Sequence, residues 1–128
     1  MKNLPSWGKH LVVDAAGCNE AINNKEIVTK WVDQLVNDID MIAFGRPEVH
    51  WFADHDITKA GISAVQLITT SAIVCHFVPH TWTLHLDVFS CKDFDTSIVL
   101  KLLQEYFDVK AWNIKEFDRE APDLNSAE

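Results

Sequence analysis

Residues 61–91 read GISAVQLITTSAIVCHFVPHTWTLHLDVFSC, and the spacing of their apolar positions decides the fold class. Trp82, Leu84, Leu86 and Val88 alternate with Thr83, His85, Asp87 and Phe89, the period of a strand with two different faces. Two more strands are expected ahead of it, about Ser63 to Thr69 and Ala72 to Val78. Ser63, Ser71, His76 and Cys91 lie along these adjacent strands, so the segment carries two hydroxyls, a base and a thiol.

On the N-terminal side, Lys9 to Asp14 reads as a strand followed by a turn through Gly17 and Asn19. Asn23 or Asn24 can cap a helix whose Ile27, Val28, Trp31, Val32, Leu35 and Ile39 form one apolar stripe. Pro47 introduces an extended stretch through Phe52, and Ala53 to Lys59 reads as a loop. Beyond Cys91, Asp93 or Asp95 can cap a second helix with a stripe of Ile98, Val99, Leu102, Leu103 and Tyr106, and Val109 to Ile114 supplies a last strand. This order predicts an α+β sandwich with two helices on one face of a mostly antiparallel sheet. Residues 1–116 form the expected single domain, and 117–128 an acidic, mobile tail. A sheet with one face left uncovered needs a partner.

The chain has 128 residues, of which 48% are hydrophobic and 23% charged, enough for one core and too few for two ordinary domains. No apolar run approaches the length that spans a bilayer, and MKNLPSWGKH has no signal-peptide hydrophobic region, so a cytoplasmic location is expected. Three widely spaced cysteines give neither a disulfide framework nor a paired metal site, and reduced thiols are expected. A net charge of −8 argues against nucleic-acid binding and is compatible with cationic ligands. Histidines stand at 10, 50, 55, 76, 80 and 85, but neither His50 with His55 nor His76 with His80 lies on a convincing helix, and no metal site is expected.

Ser63, Ser71, His76 and Cys91, with no gap between them, resemble the bacterial and archaeal S-adenosylmethionine decarboxylases. In that family the chain cuts itself before a serine and converts the serine into a pyruvoyl group. Gly8-Lys9-His10-Leu11-Val12-Val13 and Gly17-Cys18 are close to the family's opening strand and turn, and Val49-His50-Trp51-Phe52 resembles its His-x-Phe strand. Gly61-Ile62-Ser63 matches a Gly-x-Ser element, and Asp87-Val88-Phe89-Ser90-Cys91 resembles the closing Asp-hydrophobic-Phe-Thr/Ser-Cys motif. The departures lie where the family holds its substrate. Thr70 stands for its Glu, Ala72 for its His, and His76-Phe77-Val78-Pro79-His80 replaces His-Thr-Trp-Pro-Glu. A second alignment sets Cys75-His76 on the Ser-His pair and His80-Thr81-Trp82 on His-Thr-Trp, at the cost of an insertion and a compensating deletion.

The resemblance implies cleavage of the Thr70–Ser71 bond, with Ser63 assisting and His76 removing the serine α-proton. Imidazole suits that role because it titrates near neutral pH. The pyruvoyl cofactor generated from Ser71 would form a Schiff base with a substrate amine, Cys91 would return a proton after loss of carbon dioxide, and Phe52 would stack on adenine. The implied protein is an autocatalytically cleaved zymogen and homodimer that decarboxylates S-adenosylmethionine for spermidine synthesis. The departures leave two alternatives open: a pyruvoyl-dependent decarboxylase of arginine or ornithine, and an unprocessed, non-catalytic homologue. Each residue also has a structural reading, with Ser71 as a turn serine, His76 as a satisfied strand histidine, and Cys91 and Phe52 as core.

Overall fold

The computed structural model describes residues 5–124. Its elements run β1 (Gly8–Ala16), α1 (Lys25–Asp38), β2 (Glu48–Phe52), β3 (Gly61–Ile68), β4 (Ser71–Val78), β5 (Thr83–Ser90), α2 (Thr96–Phe107) and β6 (Ala111–Arg119), with a short 3-10 turn at Glu20–Asn23. The six strands form one sheet in the order β2-β3-β4-β5-β1-β6, and every neighbouring pair is antiparallel. The expected α+β sandwich is the architecture observed.

Local chemistry sets the helix starts. Asn24 Oδ1 accepts the Ile27 N–H at 3.1 Å, and Asp95 Oδ1 accepts the Ser97 N–H at 2.9 Å, so each side chain satisfies an amide that the first turn leaves unpaired. Asn23 closes the preceding 3-10 turn, and Asp93 binds Lys9 Nζ at 3.0 Å instead of capping. The stripes face inward as expected. Val28, Trp31, Val32 and Leu35 of α1 and Val99, Leu102, Leu103 and Phe107 of α2 share one core with Leu11, Val13, Ile62, Ala64, Ile73, Cys75, Phe77, Leu84, Leu86 and Val88 of the sheet.

Trp31, Phe77 and Phe107 lock this core, with ring centroids 5.8, 5.4 and 5.3 Å apart. Each such aromatic contact is worth about 0.5–1.5 kcal/mol beyond the area it buries. The three rings come from α1, β4 and α2, so they tie the C-terminal end of β4 to both helices.

Two expectations are corrected. Trp82 does not begin β5 but sits in the β4–β5 turn with a left-handed φ of 57°, which leaves it outside the alternation and 43% exposed. β6 does not end at Ile114. It pairs with β1 until Gly8 meets Arg119, so residues 117–119 of the expected tail are strand residues. Residues 125–128 of that tail, and residues 1–4, lie outside the described residues.

The sheet face away from the helices is uncovered among the described residues. Val65, Leu67 and Val74 point there and are 37%, 52% and 39% exposed, while their strand neighbours Ala64, Gln66 and Ile73 are buried.

Candidate active site

Ile68 pairs with Ser71, so β3 and β4 are joined by a two-residue turn of Thr69 and Thr70. Two-residue hairpin loops favour positive φ and glycine or asparagine, yet neither threonine has a positive φ. Tertiary contacts hold this turn instead. Thr69 N–H donates to Ile42 C=O at 2.9 Å, Cys91 N–H donates to Thr70 C=O at 3.1 Å, and Ser90 Oγ donates to Thr70 Oγ1 at 2.8 Å. The Thr70–Ser71 peptide bond thus lies at a sharp corner, with its carbonyl polarised by one backbone donor.

The sheet brings Cys91 and Ser71 to the same end, because Ser90 pairs with Ser71 across β4 and β5. Cys91 is exposed, so it is not the core residue that a free cysteine usually becomes.

Ser63 and His76 form a second centre at the other end of the same strands. They are direct cross-strand partners, with Ser63 Oγ 2.7 Å from His76 Nδ1. His76 Nε2 lies 2.7 Å from the carbonyl oxygen of Lys59, an acceptor only. That contact puts a proton on Nε2, so Nδ1 of the neutral ring must accept the Ser63 hydroxyl hydrogen. Gly61 makes the pair possible. A Cβ there would stand 1.7 Å from the Phe77 carbonyl oxygen, so only glycine lets β3 reach β4 beside Ser63.

The chain does not bring the two centres together. His76 is five residues along β4 from Ser71, about 16 Å at the rise of a strand. Alternation also turns His76 to the open face with Ala72 and Val74, while Ser71 has the parity of the buried Ile73, Cys75 and Phe77. Within one copy, His76 therefore stands apart from Ser71 both in distance and in face.

Sequence reading missed a line of residues on the open face. The strand pairings align His50, Ser63, His76, His85, Asp14 and Asn113 in one row across all six strands. His85 Nδ1 meets Asp14 Oδ1 at 2.8 Å. Further along the same face, His10 Nε2 meets Asp87 Oδ1 at 2.9 Å across a diagonal, and Arg119 Nη1 donates to His10 Nδ1 at 3.1 Å. The alternation in β5 carried a signal for His85 and Asp87, but the β1–β5 and β1–β6 pairings that complete the row had none.

Phe52 ends β2 opposite Gly61 and is 52% exposed, so the core reading of this aromatic is also overturned. His50 is engaged by Glu48 at 2.6 Å, while His55 and His80 lie in exposed turns. No group of three or more His, Cys, Asp or Glu side chains is placed to hold a metal among the described residues.

The second alignment would set the serine position on a core residue. Cys75 is wholly buried on the helix-facing side of β4, and burial holds its thiol well above the usual range, as a neutral core group. Cys18 lies beneath the first turn, and burial raises it to about 11 despite the pull of Lys110.

A family model described as S-adenosylmethionine decarboxylase matches residues 9–120. The S-adenosylmethionine decarboxylase proenzyme of Clostridium kluyveri is 31% identical over 87 residues, 67% of this chain and 64% of that relative's length. The Syntrophomonas wolfei proenzyme is 27% identical over 124 residues, 94% of each chain. The crystal structure of the adenosylmethionine decarboxylase from Aquifex aeolicus superposes with a TM-score of 0.78 over 98% of this chain and 100% of that one, at 17% identity, a likeness of fold.

Proposed function

The chain belongs to the S-adenosylmethionine decarboxylase family, and from that premise we propose that it cleaves itself between Thr70 and Ser71 and decarboxylates S-adenosylmethionine for polyamine synthesis. The observation that carries this reading is the Cys91 N–H on the Thr70 carbonyl, at 3.1 Å, in the peptide bond that precedes Ser71. Attack by Ser71 Oγ on that carbonyl carbon places negative charge on the oxygen, where a fixed N–H stabilises it. The hydroxyl proton passes to the departing amide nitrogen, and the amide becomes an ester.

Removal of the Ser71 α-proton then expels the Thr70 carboxylate. The resulting dehydroalanine tautomerises to an imine, and water hydrolyses it to a pyruvoyl group and ammonia. Among the described residues, the Ser63–His76 pair is the best-prepared base, but it stands about 16 Å away within its own chain. A second copy resolves this separation. The open face carries the exposed Val65, Leu67, Val74 and Phe117, an apolar surface suited to stacking on a second copy, whose His76 would then lie in the shared interface. We therefore assign a homodimer in which each centre draws on both chains.

A pyruvoyl ketone supplies the electron sink that decarboxylation of a bound amine requires. The chain's own part is to place an exposed thiol, Cys91, next to residue 71 as proton donor, and an exposed aromatic, Phe52, on the face that carries Ser63. A second reading follows from the same separation. A copy that stays monomeric keeps the Ser63–His76 pair away from Ser71 and remains an intact, non-catalytic chain.

Denaturing mass spectrometry of the wild type beside Ser71→Ala tests the proposal. The expected result is two fragments, 1–70 and 71–128, with the second lacking a free amino terminus and both absent from the variant. A chain that stays whole on prolonged incubation overturns it. Product analysis with S-adenosylmethionine, arginine and ornithine separates the substrate classes.

A further inference from the structure

Ser90 is wholly buried, yet it is polar and stands in a strand whose other helix-facing residues are Leu84, Leu86 and Val88. A buried hydroxyl must be satisfied, and this one is satisfied by the turn it faces. Its Oγ accepts the Lys92 N–H at 2.9 Å and donates to Thr70 Oγ1 at 2.8 Å, while Thr70 Oγ1 donates to Met41 Sδ at 3.4 Å. Between these contacts, Cys91 N–H holds the Thr70 carbonyl. Residues 90–92 therefore grip the acyl side of the Thr70–Ser71 bond through both its side chain and its main chain.

We propose that Ser90 is a positioning residue for self-cleavage: by holding the Thr70 hydroxyl it keeps the Thr70 carbonyl on the Cys91 N–H and in line with Ser71 Oγ. The inference rests on the processing reading above. Its physical basis is that the turn has no conformational preference of its own, since two threonines without positive φ do not favour this loop. Without Ser90 the carbonyl keeps one hydrogen bond and gains rotational freedom, and a shift of about 1 Å in such a geometry can cost up to a hundredfold in rate. Ser90 does not touch the reacting atoms. It acts through Thr70.

The test is the rate at which freshly synthesised full-length chain disappears, followed by denaturing mass spectrometry during cell-free synthesis. Ser90→Ala is expected to cleave roughly ten- to a hundredfold more slowly than wild type, with Ser90→Thr restoring the rate. Thr70→Val, which keeps the branched shape and removes the hydroxyl, should be as slow as Ser90→Ala, and the double variant no slower than either. Val88→Ala controls for stability, because Val88 is also wholly buried on the same face of β5 and pairs with Leu11 and Ile73 in the neighbouring strands. It should lower the thermal midpoint and cleave at the wild-type rate. Wild-type cleavage with an unaffected Ser90→Ala or Thr70→Val overturns this inference alone, as does equal slowing by Val88→Ala. A wild-type chain that never cleaves overturns the processing reading, and this inference with it.

Discussion

Ser63 donates its hydroxyl hydrogen to Nδ1 of His76 across the β3–β4 pair, at 2.7 Å, while the Lys59 carbonyl holds the opposite ring nitrogen. Imidazole orientation and tautomer are thus fixed before any substrate or second chain arrives. This prepared base lies on the open face, about 16 Å from Ser71 along β4, a separation that the proposed homodimer would have to bridge.

Complementation between variants checks that geometry. His76→Ala and Ser71→Ala chains are each expected to stay intact alone. Mixed during refolding, the His76→Ala chain should be cut at Ser71 by the histidine of its Ser71→Ala partner, with at most half of all chains cleaved. Mass spectrometry of the mixture reads the result, and no cleavage in a mixture shown to contain heterodimers counts against the shared site.

Cys91 divides its work between main chain and side chain. Its N–H on Thr70 survives substitution, so Cys91→Ala should still cleave itself, whereas loss of the thiol proton donor should lower turnover by about 10²–10⁴-fold. Fragment analysis and a carbon dioxide release assay on the same sample separate the two effects. Loss of cleavage at an unchanged thermal midpoint would contradict the division.

Gly61 is needed for space rather than for an unusual backbone angle. With a Cβ placed 1.7 Å from the Phe77 carbonyl oxygen, Gly61→Ala forces β3 and β4 apart. Overpacking of this kind costs about 1–3 kcal/mol, which at roughly 4 °C per kcal/mol lowers the thermal midpoint by about 4–12 °C. The Ser63–His76 contact should loosen with it, and cleavage should slow. A midpoint equal to wild type would refute the contact.

Alkaline stability follows from the buried thiols. Burial raises Cys75 well above 9.0 and Cys18 to about 11, so above pH 9 the unfolded chain releases protons that the folded chain retains. Folding then binds more protons than the unfolded state, and stability falls as pH rises. For Cys18 the contribution is fully present below pH 9 and is lost by about pH 11. Thermal midpoints across this range should fall more gently for Cys18→Ser than for wild type. Identical slopes would show that the thiol ionises in the folded protein as it does in the unfolded chain.

Much of the architecture was legible because it rests on period and local capping. The stripes of Val28, Trp31, Val32 and Leu35 and of Val99, Leu102 and Leu103 face the core, and Asn24 and Asp95 cap the helices, each within one turn of its partner. Trp82 misled the reading because apolar alternation does not register a left-handed φ, and β6 ran past its expected end because its length is set by pairing with β1. The site was legible as a set of residue types in order. Which of them meet was not.

The sequence alone determined the elements, the family resemblance and the identities of Ser63, Ser71, His76 and Cys91, since these depend on spacing along the chain. Tertiary structure decided that Ser63 meets His76, that Ser71 lies at the end with Ser90 and Cys91, and that Cys75 is core. It also decided that the two centres are separated within one copy. The physical reason is strand register: a shift of one residue turns a side chain to the other face, and five residues along β4 carry it about 16 Å.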